Sequence, residues 1–430
     1  MNDAMDVVSG PVVIGDGRII QVGGDAPQIQ GVHEIDASGC LVLPGFIQTH
    51  VHLCQTLFRG VADDLTLLTW LRDRIWPLEA AHSEASLRAS VRLAIAELLR
   101  SGTTSVLTME TVHDTDVVLD TLASSGLRAT VGKCFMDQGD GAPARLMERV
   151  GPGIDEALAL HRRWHGHAEG RLHVALAPRF AISCSRAMLE AIANVATQYG
   201  LLVHTHASEQ QEEVALVRHA TGLGNMAYLA TTGLGSPRLC AAHCVWVDEH
   251  EQGLMAEHDI KALHCPGSNL KLGSGIAPVA ALRRRGITVS LGADGAACNN
   301  RLDMFDEMRL AAGLQAWSAG PGVVPARDIV WMATRDGART LGIDARVGQI
   351  TPGFAADVIV VDVTATHVAP SPDPYSALVY ACRGTDVRAT IVDGHVLMAD
   401  GMLTSIDSAS VVREAQDEAR RLYARAGLTR

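Results

Sequence analysis

Pro44-Gly45-Phe46-Ile47-Gln48-Thr49-His50-Val51-His52 closes an apolar run that opens at Leu41-Val42-Leu43 and ends in two histidines one residue apart. Side chains alternate across a strand, so His50 and His52 face the same side and can share one metal ion. Imidazole is the commonest side-chain metal ligand, and Val51 between the two suits a buried strand. An isolated His-x-His is also what two polar residues at a strand end look like, so the rest of the chain has to decide.

Outward from that stretch the texture changes in both directions. Before it, Val12-Val13-Ile14 and Arg18-Ile19-Ile20-Gln21-Val22 flank Asp16-Gly17, a strong hairpin signal. Near the other end, Ala356–Asp362 and Val387–Leu397 repeat that pattern, with a second Asp-Gly at Asp393-Gly394. One small β domain assembled from both termini follows, residues 1–43 plus 353–430, closed by a helix over Ser408–Ala426. Between the ends, strands alternate with helices, the mark of a parallel sheet. Ser83–Arg100 reads as a long helix, with Leu87, Val91, Leu93, Ala94 and Leu98 apolar. Strands are expected at Thr104–Met109, Arg128–Phe135, Leu172–Ala177, Leu201–His206, Leu239–His243, Ile260–His264 and Ile287–Gly292. With the opening strand that makes eight, so residues 44–352 are expected to form a (β/α)8 TIM-type barrel, whose functional residues sit at the C-terminal ends of the strands.

Composition agrees with a large globular α/β protein. The chain has 430 residues, 47% hydrophobic and 20% charged, enough for a barrel-sized unit and a smaller one. A net charge of −12 offers no footprint for nucleic acid or an anionic membrane, and Arg283-Arg284-Arg285 reads as a solvated helix end. Nine scattered cysteines without a C-x-x-C pair fit a reducing compartment. Cys240 and Cys244 flank His243 but lack the partners of a zinc ribbon. The acidic start Met1–Asp6 is unlike a signal peptide, and no apolar run reaches membrane-spanning length, so a cytoplasmic protein is expected.

Three more expected strands end in metal-ligand types. Leu201–Glu209 carries His206, Leu239–His243 ends in His243, and Thr288–Gly295 carries Asp294. Each alone is more often structural than not. Together they would converge at one barrel mouth, as a metal site requires.

These phrases resemble the amidohydrolase superfamily, in its branch of aromatic-ring deaminases, over nearly the whole chain. The match lies in Pro44–His52, His206-Ala207-Ser208-Glu209, Ser268-Asn269-Leu270-Lys271-Leu272, Asp294-Gly295-Ala296 and Gly348–Asp357. The resemblance implies a distorted (β/α)8 barrel beside a β-sandwich formed from both termini, and one divalent metal, zinc ahead of iron, held by His50, His52, His206 and Asp294. It implies a metal that makes hydroxide available, Glu209 as proton carrier to a ring nitrogen, His243 hydrogen-bonded to the water, and Asp294 as ligand and base. Strand four, Leu172–Arg179, has no lysine or carboxylate for a second metal.

Two further likenesses bear on the substrate. Gln55 stands where guanine deaminases carry a base-contacting glutamine, and Ala177-Pro178-Arg179-Phe180 resembles their Pro-Arg-Phe phrase. Trp70 matches a pocket tryptophan of methylthioadenosine/S-adenosylhomocysteine deaminases. Leu68, where an acid for ribose is expected in those relatives, and Arg179 in place of histidine argue against a nucleoside. Asp294–Asn300 resembles the nucleoside and triazine branch, and Lys133 and Arg145 fall near positions that bind a carboxylate in homocysteine-acting relatives. The expectation is therefore a deaminase of a 2-amino-4-oxo fused pyrimidine, a guanine-like purine or a pterin, bound through Gln55, Trp70 and Arg179. An adenine-type nucleoside deaminase and a triazine hydrolase are the alternatives; a non-catalytic scaffold is disfavoured because every ligand is kept. The expected partner is a small heterocycle, neither nucleic acid nor membrane, with a homo-oligomer as the one protein contact to allow for.

Overall fold

A computed structural model describes residues 1–25 and 31–428. The chain opens with the expected hairpin, β1 (Val12–Gly15) and β2 (Arg18–Val22), antiparallel around a turn in which Asp16 and Gly17 both have positive φ. Strand β3 (Cys40–Pro44) runs to the edge of the barrel, and β4 (Phe46–His52) enters it. Gly45 between them has its amide on Asp357 O at 3.0 Å, and a Cβ there would lie 2.1 Å from Thr104 Cγ2. Only glycine lets the chain cross from one sheet to the other so close to its neighbour.

Barrel strands follow at β5 (Thr103–Met109), β6 (Arg128–Phe135), β7 (Leu172–Pro178), β8 (Val203–Ala207), β9 (Leu239–His243), β10 (Lys261–His264), β11 (Val289–Leu291) and β12 (Asp294–Gly295). All are parallel, in the order β11-β10-β9-β8-β7-β6-β5-β4-β12. The ring closes because the last strand is broken in two. Gly292 lies against His50, where a Cβ would meet its backbone N and O at 2.6 Å, and β12 then pairs with β4 through Asp294↔Val51 and Gly295↔His52. This is the distorted (β/α)8 barrel expected, with β11 shortened by that crossing. The strands are buried along almost their whole length, as a sheet covered by helices requires.

The second sheet is antiparallel, in the order β16 (Met402–Leu403), β15 (His395–Ala399), β14 (Val387–Val392), β13 (Val358–Asp362), β3. It draws on both chain ends, and the β1–β2 hairpin packs on it through Ile19 against Val358 and Ile391. At the seam with the barrel, Arg128 donates from Nε and Nη2 to the Asp357 carboxylate at 2.8 and 3.0 Å.

Helix Glu84–Arg100 starts where expected, with Ser83 and Ser86 forming a reciprocal cap. Helix Ser408–Arg425 corrects the expectation that it closes the small domain. It lies along Glu84–Arg100, pairs Glu414 with Arg92, and sets Tyr423 on the carbonyl of Leu57. An apolar stripe in an amphipathic helix shows that a face is buried, not against what. Among the described residues no helix is long and apolar enough to cross a membrane.

Candidate active site

The strand ends deliver the residues singled out above to one point. His52 Nε2 and His50 Nε2 lie 3.2 and 3.3 Å from Asp294 Oδ1, and His206 Nε2 lies 3.3 Å from His52 Nε2. Asp294 and His243 have left-handed backbones, φ 62° and 73°, and Ser208 beside Glu209 has φ 54°. Such conformations cost energy outside glycine and cluster where a side chain must be aimed.

The far nitrogens of the imidazoles are already committed. His52 Nδ1 bonds Met109 O at 2.8 Å and His206 Nδ1 bonds Arg179 O at 2.7 Å. A carbonyl only accepts, so both Nδ1 atoms carry a proton, and in the neutral rings both Nε2 atoms present lone pairs. Two lone pairs facing each other at 3.3 Å repel unless a cation lies between them. His50 is held differently: its Nδ1 bonds His204 Nε2 at 2.6 Å, and His204 Nδ1 bonds Thr108 O at 3.3 Å. That relay leaves His50 Nε2 buried beside Asp294 Oδ1 with no hydrogen bond among the described residues. Burial pushes the His50 pKa down to about 4 and that of His206 well below its ordinary value, so both stay neutral, as ligation requires. Burial alone would raise the Asp294 pKa, but His50 and His52 bring it well below the usual range. The donor set fits a divalent metal ion.

Around that point stand the other polar groups. His243 Nδ1 bonds Asn269 Oδ1 at 2.9 Å, and its buried, unpartnered Nε2 lies 3.5 Å from Glu209 Oε2 and 3.9 Å from Asp294 Oδ2. Ser268 Oγ donates to Asp294 Oδ2 at 2.6 Å, and Ser274 Oγ to Glu209 Oε1 at 3.3 Å. Burial raises the Glu209 pKa, with His243 opposing it. The motifs did not point to His204, Ser268, Asn269 and Ser274 in these roles. His204 was legible by the same same-face spacing that marks His50 and His52.

The cavity beside the cluster is lined by Gln55, Trp70, Arg179 and Glu209, with Leu67, Leu71, Phe180 and Leu272 as apolar wall. All three residues expected to bind substrate are therefore there. Gln55 and Arg179, however, turn toward a residue the sequence did not point to. Arg179 Nη1 and Nη2 donate to the two oxygens of Glu79 at 2.5 and 3.0 Å, and Gln55 Nε2 donates to Glu79 Oε1 at 2.9 Å. Burial would raise the Glu79 pKa, yet Arg179 and Gln55 lower it, so it is a carboxylate. Trp70 Nε1, Arg179 Nε and Gln55 Oε1 are buried and unpartnered. Lys133 and Arg145 are engaged elsewhere: Lys133 Nζ lies 2.5 Å from Glu148 Oε1, and exposed Arg145 pairs with Asp114 at 3.1 Å.

Known proteins bear on this arrangement. The chain is 40% identical over 426 residues to 5′-deoxyadenosine deaminase of Methanothermobacter thermautotrophicus, covering 98% of this chain and 96% of the relative. It is 41% identical over 412 residues to 5-methylthioadenosine/S-adenosylhomocysteine deaminase of Halobacterium salinarum, covering 96% and 93%. An adenosine deaminase from Xanthomonas campestris, solved with bound zinc, superposes with a TM-score of 0.88 at 33% identity, over 96% of this chain and 93% of that one. The amidohydrolase family model matches residues 41–397. With strand-end histidines, aspartate and barrel all in place, the chain belongs to the amidohydrolase family and is a hydrolytic deaminase of its aromatic-ring branch.

Proposed function

We propose that this chain removes the 6-amino group of an adenine ring carried on ribose with a small apolar 5′ substituent, releasing ammonia and leaving the 6-oxo ring. The observation that carries this reading is the closure of Arg179 and Gln55 on Glu79. A lactam-bearing ring would need those donors free, and Arg179 Nη1, Arg179 Nη2 and Gln55 Nε2 each give a hydrogen bond to a carboxylate instead. The guanine-like or pterin expectation therefore gives way to its adenine-type alternative. The relatives of 40 and 41% identity, named as deaminases of 5′-modified adenosines, support the same substrate class. The wall of Leu67, Trp70, Leu71 and Leu272 favours an apolar 5′ group, and the pairing of Lys133 and Arg145 leaves neither cation free for an amino-acid carboxylate.

His50, His52, His206 and Asp294 would hold one divalent ion, with zinc favoured by three nitrogens and a carboxylate. When bound, that ion supplies the Lewis acidity that makes hydroxide available near neutral pH. Glu209, whose pKa burial raises, accepts one proton of the attacking water and delivers it to the ring nitrogen, making the adjacent carbon electrophilic. His243, aimed by Asn269, holds the attacking water between Glu209 and Asp294. Asp294 takes the remaining proton, that of the added hydroxyl, at Oδ2 and passes it to the leaving amine, so that ammonia departs as the 6-oxo group forms, with the Ser268 hydroxyl steadying the same oxygen. Trp70 and Phe180 exclude water from the ring.

Ammonia release by zinc-loaded protein tests the assignment across 5′-deoxyadenosine, methylthioadenosine, adenosine, S-adenosylhomocysteine, guanine, a pterin and a chlorotriazine. The first two should show the highest kcat/KM. A preference for guanine, pterin or triazine would overturn it.

A further inference from the structure

Glu213 is fully buried, lies four residues past Glu209, and makes no ion pair among the described residues. It stands in the first turn of helix Gln211–Thr221, and its Oε2 accepts the backbone N–H of Glu209 at 2.9 Å. Its Oε1 meets the side-chain amide of Asn225, itself fully buried at the start of helix Asn225–Thr231. A carboxylate buried with no counter-ion is costly unless something in the fold requires it there.

What surrounds it shows the requirement. The chain leaves β8 through Ala207 and left-handed Ser208, a backbone that does not hold itself. Ala207 O accepts from Cys244 N at 3.1 Å, and Ser208 O accepts from Val245 and Trp246 N, each at 2.9 Å. Those bonds tie the carbonyl side of the turn to the loop that carries His243. Among the described residues the amide of Glu209 is tied only by Glu213, and Asn225 fixes Glu213 from behind. Its protonation state fits the same picture. Burial pushes its pKa up to about 8, and the unpartnered Asn225 Oδ1 is an acceptor for a carboxylic O–H once the amide is turned about.

We propose that Glu213 is a positioning residue for proton transfer: held by Asn225, it clamps the backbone of Glu209 and aims that side chain between His243 and the substrate. The proposal rests on the proton-transfer role given to Glu209.

A double-mutant cycle on the metal-loaded enzyme tests it. Glu213→Gln keeps a neutral acceptor of the same shape, and kcat should stay within about threefold of the parent. Glu213→Leu removes the acceptor, and kcat should fall by roughly tenfold or more while KM, metal content and melting temperature stay near parent, part of the ~10²–10⁴ that general acid catalysis contributes. In a Glu209→Gln background, Glu213→Leu should cost nothing further, because it acts only through Glu209. If Glu213→Leu does not fold, Asn225→Ala takes its place in the cycle. Additive losses would mark a merely structural role and overturn the proposal, as would parent-like kcat in Glu213→Leu. A Glu209→Gln variant that kept parent kcat would remove the proton-transfer reading itself, a separate failure visible in the single mutant.

Discussion

Arg179 and Glu79 form a two-pronged ion pair beside the metal-ligand cluster, their side chains 3% and 1% exposed. Each guanidinium nitrogen that points at the carboxylate takes a separate oxygen, and among the described residues neither charge has a second ion-pair partner. Removing one member leaves an uncompensated buried charge. Glu79→Gln should therefore lower stability by about 3–5 kcal/mol in denaturant unfolding. Pairing it with Arg179→Met should recover much of the loss. Equal destabilisation in the single and double variants would show that packing, not charge, holds this corner.

His204 should matter for metal affinity while touching no metal. It fixes the tautomer of His50 by accepting from its Nδ1 at 2.6 Å. Loss of such an outer partner typically weakens metal binding about 10–100-fold. His204→Ala should show that loss when the apo protein competes for zinc with a chelator. An unchanged affinity would mean that His50 is oriented by packing alone. The parent should bind about one equivalent, given one three-histidine, one-aspartate set.

How far the sequence went follows from what each residue depends on. His50, His52, His206, His243 and Asp294 were legible because strand period and strand end place them without knowledge of any partner. The barrel followed from the same alternation. Glu79 was not legible: it comes from the short helix Trp76–Ala80 and meets Arg179 one hundred residues later. Without that contact, Arg179 and Gln55 read as free donors, and the substrate was drawn toward a lactam. The C-terminal helix lies where expected in the chain, but its packing was not legible for a like reason, since its partner, Glu84–Arg100, lies more than 300 residues upstream.

Glu209→Gln keeps the size and removes the proton. Its kcat should fall by roughly a hundredfold to ten-thousandfold, the range of general acid–base catalysis. Metal content should hold, because Glu209 reaches Ser274 and His243 and lies outside the ligand cluster. Loss of metal in this variant, or a parent-like kcat, would contradict the assignment.

The last prediction concerns pH. Glu307 is buried in helix Met304–Ala319, where Oε2 accepts from Gly267 N at 3.0 Å and Oε1 from Asn299 Nδ2 at 2.7 Å. Burial pushes its pKa up to about 8, against the opposing pull of those two hydrogen bonds. The ordinary glutamate value is about 4.3, so the native state holds this proton more tightly than the unfolded chain does. Its contribution is fully present below about pH 4.3 and is lost progressively as pH rises to 8. Glu307→Gln carries no such proton, and every other titrating group is common to both proteins. In urea unfolding at about pH 5, 6.5 and 8, the stability of Glu307→Gln relative to parent should rise steadily with pH. Where the native protein keeps a proton that the unfolded chain has lost, stability changes by roughly 1.4 kcal/mol for each step of one in pH. The relative gain across that range should therefore exceed about 1 kcal/mol. A difference that stays flat would mean that Glu307 is ionised in the native protein, with Asn299 and the Gly267 amide sufficient to hold the charge.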